Sequence, residues 1–103
     1  MNERTARCLL LSKVLIADGI MTENERIFLD RSMTKMGLTP EERRSVIELE
    51  GWNEAESALS ALPTQDKQEL LSELVDAASA DGRLSPLEAE MVKRIGHSLG
   101  LDP

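Results

Sequence analysis

An all-α fold, six helices in a single domain over residues 1–103, is the architecture this chain predicts, and three observations point to it. At four places a capping residue stands three positions before a glutamate, the spacing of a capping box. Five glycines (Gly19, Gly37, Gly51, Gly82 and Gly100) follow stretches of helical apolar periodicity and suit a left-handed C-terminal turn. No segment sustains strand alternation over five residues.

The first helix is expected at about 3–17. Its Cys8, Leu9, Leu10, Leu11, Val14, Leu15 and Ile16 are apolar around most of the circumference, as in a central helix. The second, about 23–36, opens with Thr22-Glu23-Asn24-Glu25 and turns Phe28, Leu29, Met33 and Met36 inward against an outward Arg26, Asp30 and Arg31. The third, about 40–50, begins Thr39-Pro40-Glu41-Glu42, with proline at a first helical position that needs no N–H. The fourth, about 54–62, is read from Asn53-Glu54-Ala55-Glu56. Together these two short helices contribute Val46, Ile47, Leu49, Leu59 and Leu62 as a lid, with Trp52 between them as a core plug. The fifth, about 65–80, carries Leu70, Leu71, Leu74, Val75, Ala77 and Ala78 and reads as a second central helix. The sixth, about 86–99, opens with Ser85-Pro86-Leu87-Glu88. It shows an apolar stripe of Leu87, Met91, Val92, Ile95 and Leu99 opposite Glu90, Lys93, Arg94 and His97.

An internal repeat organises these elements. Shifting the chain by 63 residues matches Leu11 with Leu74, Ala17-Asp18-Gly19 with Ala80-Asp81-Gly82, and Glu25 with Glu88. It also matches Arg31 with Arg94, Gly37-Leu38 with Gly100-Leu101, and Pro40 with Pro103: nine identities over 7–40 against 70–103. Two such repeats, joined by a connector at 41–69, are expected to pack about an approximate two-fold axis, because neither buries its apolar face alone.

Charge and composition limit the function. The chain has 12 basic and 19 acidic residues, net −7, and residues 53–103 alone carry 4 and 10, net −6. A negative surface repels phosphate, so nucleic acid is excluded as the default partner; a basic protein surface or a divalent cation is favoured. One cysteine and one histidine exclude a multi-cysteine zinc site and a histidine relay. No apolar run approaches the ~20 residues of a membrane span, the start is polar, and a cytoplasmic protein is expected.

The repeated Asp-Gly-x-x-x-x-x-Glu is the one constellation with chemical content. Asp18 and Asp81 fall at helix C-terminal ends, where the dipole disfavours a carboxylate by about 0.3–1 kcal/mol, so something local must favour it. An EF-hand fails, because Val14 and Ile16, or Ala77 and Ser79, occupy the first two acidic positions. A composite site remains, in which Asp18, Glu25, Asp81 and Glu88 converge on one hard cation (calcium, magnesium or manganese). The plainer reading is that Glu25 and Glu88 only cap helices. Cys8 reads as a buried small hydrophobe, His97 as solvated surface, and Arg43-Arg44 as a solvated basic pair; Met33 and Met36 are core residues that can also line a partner groove. No nucleophile, acid–base pair or phosphate loop can be named, so no enzyme is expected.

The doubled Ala-Asp-Gly…Glu pattern, closed by Gly37-Leu38 and Leu99-Gly100-Leu101, resembles the TerB-like group, all-helical domains related to the tellurite-resistance protein B. The N-terminal domain of a membrane-anchored DnaJ-type co-chaperone is similar too. The resemblance covers nearly the whole chain. It implies a two-repeat helical fold, a place in bacterial stress response and a divalent-metal site at Asp18, Glu25, Asp81 and Glu88. The competing reading is a metal-free helical interaction or scaffold domain with an acidic docking surface.

Overall fold

The computed structural model describes residues 1–17, 19, 21–79 and 85–101. Six helices follow one another: α1 (Glu3–Leu15), α2 (Glu23–Lys35), α3 (Pro40–Ile47), α4 (Trp52–Ser60), α5 (Thr64–Ala78) and α6 (Pro86–Ser98), with no strand among the described residues. Helices α2 and α6 begin and end 63 residues apart, and α1 and α5 end at Leu15 and Ala78, again 63 apart.

Local capping accounts for most of these starts. Thr22, Thr39 and Ser85 each accept from the amide of the N3 glutamate, and that glutamate accepts from the cap's own N–H. Asn2 caps α1 by accepting from the Thr5 amide at 2.8 Å. The Asn53 capping box does not form. Helix α4 begins at Trp52 behind Gly51, which sits at φ +80 with no side-chain cap, so Asn53 lies inside the helix.

Three helices end alike. After α2, Gly37 N donates to Thr34 O at 3.1 Å and Leu38 N to Met33 O at 3.1 Å. After α6, Gly100 N donates to His97 O at 3.0 Å and Leu101 N to Gly96 O at 2.8 Å. These are Schellman closures with glycine at positive φ. After α3 the same closure is made by Leu49 at φ 56, with Leu49 N donating to Val46 O at 3.2 Å and Glu50 N to Ser45 O at 2.9 Å. Helix α3 therefore stops before the glycine read as its terminator, because Leu49 turns back to pack against the core.

Helix α1 is the axis of the molecule. It packs against each of the other five helices and buries Leu9, Leu10, Val14 and Leu15 almost completely. Helix α5 is central in a weaker sense. It buries Leu70, Leu74, Ala77 and Ala78, leaves Leu71 and Val75 half-buried, and presents Gln68, Glu69, Ser72, Glu73 and Asp76 to solvent. The difference arises because α3 and α4 lie on α1 and add Val46, Ala55 and Leu59 to its core. Three apolar residues read as inward are exposed: Phe28 (37%) on α2; Ile47 (61%), the outer side of the lid; and Leu87 (56%), the first of the α6 stripe; Ile27, which periodicity left unassigned, is exposed too, at 43%.

Polar staples tie the chain ends to this frame. The Glu42 carboxylate accepts from Asn2 Nδ2 at 2.6 Å, from Thr5 Oγ1 at 2.9 Å and from the Thr39 amide at 2.9 Å. Hydrogen bonds from the Thr39 backbone first, then from Thr5, hold its pKa down at about 2. Lys67 Nζ donates to the Leu99 carbonyl at 2.7 Å, satisfying the C-terminal end of α6. Arg43 is no free surface cation. It pairs with Asp30 and donates to Thr34 Oγ1, tying α3 to α2.

Candidate metal centre

Glu25 and Glu88 occupy the third positions of α2 and α6 and are nearly inaccessible, at 5% and 4%. A glutamate here is helped by the helix N-terminal dipole and by the cap. One oxygen of each carboxylate is used locally: Thr22 N donates to Glu25 Oε1 at 2.9 Å, and Ser85 N donates to Glu88 Oε1 at 3.2 Å. The second oxygens matter more. Glu88 Oε2 is buried, and no hydrogen-bond donor among the described residues reaches it. Its neighbour is the Glu25 carboxyl, another acceptor, so contact between the two needs a proton or a cation between them. Burial first, and then Glu25, raise the Glu88 pKa above the ordinary carboxylate range, against hydrogen bonds from Ser85 that lower it.

Two members of the four-carboxylate set are thus brought together by the fold, although they stand 63 residues apart in the chain. The other two, Asp18 and Asp81, lie outside the described residues. Among the described residues no group of three or more His, Cys, Asp or Glu side chains is placed to hold a metal ion.

The other singled-out residues fall as follows. Cys8 is buried at 1%, its thiol within 3.6 Å of Met36 Sδ, and burial pushes its pKa up to about 11 although Arg43 pulls it down. A thiol held protonated in this way is a poor nucleophile. His97 is exposed on α6. Trp52 is half-buried against the core, and Lys13 Nζ stands 3.6 Å from its ring centroid. That cation–π contact could not be read from periodicity, because the partners lie on different helices. Met36 lines a groove of about 490 Å³ between α1, α2 and α5, beside Cys8 and Phe28. Met33 lines a second of about 960 Å³ beside Ile27 and Ile47. No described helix is long and apolar enough to cross a membrane.

No curated protein and no solved structure matches the chain significantly. The family model described as "Tellurite resistance protein TerB" matches residues 4–103. With an all-helical fold and a match over nearly its whole length, the chain belongs to the TerB family, a tellurite-resistance-related helical domain.

Proposed function

We propose that this domain is a non-enzymatic stress-response module that binds one hard divalent cation between its two acidic turns. Glu25 and Glu88 are the buried ligands, and Asp18 and Asp81 complete the oxygen set from the turns that precede α2 and α6. The observation that carries the proposal is Glu88 Oε2, buried beside a second carboxyl with no donor among the described residues to satisfy it. A buried acceptor left unpaired is unfavourable by roughly 1–3 kcal/mol, and a calcium, magnesium or manganese ion removes that penalty while screening the two charges.

A metal-free scaffold is the second reading. It is favoured by the fact that both glutamates already work as capping-box residues. In that reading the acidic residues of 53–103 dock a basic partner and the carboxyl pair holds a proton. Calorimetric titration of the intact chain with Ca²⁺, Mg²⁺ and Mn²⁺ separates the two. Stoichiometric binding that is lost in Asp18→Asn, Asp81→Asn and Glu88→Gln, with helicity unchanged, is the expected result. No heat up to millimolar concentrations of all three ions overturns the metal proposal and leaves the scaffold.

A further inference from the structure

Helix α2 carries an exposed ridge that the metal centre does not use: Glu23, Ile27 and Arg31, spaced i, i+4, i+8. All three side chains are exposed, Ile27 at 43%, and they line the groove of about 960 Å³ whose far wall carries Ile47, 61% exposed at the end of α3. Neither Glu23 nor Arg31 takes part in an ion pair within the described residues, although Asp30 on the same helix is paired with Arg43. Helix α6 offers a contrast 63 residues on. Glu90 stands where α2 has Ile27, and Arg94 Nε approaches Glu90 Oε1 at 3.7 Å, so that ridge is polar and internally neutralised.

The α2 ridge is self-complementary. Glu23 lies four residues before Ile27 and Arg31 four after. A two-fold axis through Ile27, perpendicular to the helix, therefore sets Glu23 of one copy against Arg31 of the other, twice, with the two Ile27 side chains meeting at the centre. Rows of residues at i±4 are the ridges that interdigitate in the commonest helix–helix packing, and an isologous dimer needs a patch that matches itself. We propose that this face binds a second copy of the same chain, with α2 antiparallel to α2, the isoleucines desolvated at the centre and two Glu23–Arg31 pairs at the rim. A single helix pair flanked by Ile47 makes a small interface, so the dimer is weak, with a dissociation constant on the order of micromolar or above.

Sedimentation equilibrium of the full chain from about 1 μM to about 1 mM, with circular dichroism to check folding, tests the proposal. The expected result is a reversible monomer–dimer equilibrium. Glu23→Arg or Arg31→Glu alone sets like charges face to face and weakens it by about tenfold or more. The double exchange Glu23→Arg with Arg31→Glu restores it, which a merely destabilising substitution would not do. Ile27→Asp abolishes it. A chain that stays monomeric to 1 mM, or a dimer indifferent to Ile27→Asp and to both single charge reversals, overturns the proposal and assigns the groove to another occupant.

Discussion

Glu42 and Glu88 are both third-position glutamates of capping boxes, yet their titrations have opposite signs. Glu42 gathers donors from Asn2, Thr5 and Thr39, so its charged form is favoured in the folded state and its pKa falls to about 2. Its contribution is present above the unfolded value of 4.5 and is lost as pH falls toward 2. Glu88 is buried against Glu25, so its proton is held more tightly in the folded state. Its ionisation therefore opposes folding as pH rises above the unfolded value of 4.5. In metal-free protein, Glu88→Gln is expected to raise the Tm at pH 7, since an amide donates to Glu25 where a carboxylate repels it, and the gain should vanish below about pH 4.5. Glu42→Gln should lower the Tm at pH 7, with the loss shrinking toward pH 2. Thermal unfolding followed across pH 2–8 checks both, and parallel curves for the two variants would contradict these assignments. The capping role of both residues is plain in the letters. Their difference is not, since it depends on what lies opposite: a threonine and an asparagine in one case, a second carboxylate in the other.

At the scale of the element, helix ends follow from short-range chemistry and were readable at that range. Threonine, serine and proline at the starts of α2, α3 and α6 act within three or four residues, and the structure realises them. The failures sit at the α3–α4 junction. There Leu49 takes the left-handed position that sequence assigns to glycine, and Gly51 becomes the cap of α4 in place of Asn53. A leucine at positive φ is disfavoured by about 1–2 kcal/mol, and its packing against the core offsets that strain. Where glycine does hold the turn, the conformational term can be isolated. A Cβ on Gly37 would meet only Arg4 Nη1 at 3.9 Å, an ordinary contact. Gly37→Ala is thus expected to lose about 1–2 kcal/mol through φ alone, measured as a lower urea midpoint at constant m-value.

For the whole molecule, stability is concentrated on one helix. Because α1 touches all five others, Leu9, fully buried, has no single neighbour able to collapse into the space it fills. Leu9→Ala is expected to cost about 2–5 kcal/mol, a large share of the ~5–15 kcal/mol typical of such a domain, in chemical denaturation. The same truncation at half-buried Leu71 on α5 should cost less than half as much. Periodicity treated the two helices as equals, since both are rich in apolar residues. Only the placement of α3 and α4 on α1 separates them.

Helix number, the capping boxes of α2, α3 and α6, the glycine turns after α2 and α6, the 63-residue repeat and membership of the TerB family were determined by the amino-acid sequence, because each depends on residues close in the chain or on a pattern of letters. Tertiary structure alone decided that α1 is the axis, that Ile27, Phe28, Ile47 and Leu87 remain exposed, and that Glu25 meets Glu88. Burial and carboxyl pairing depend on which helix lies opposite. That is a property of how six amphipathic surfaces share one small core, and no single surface carries it.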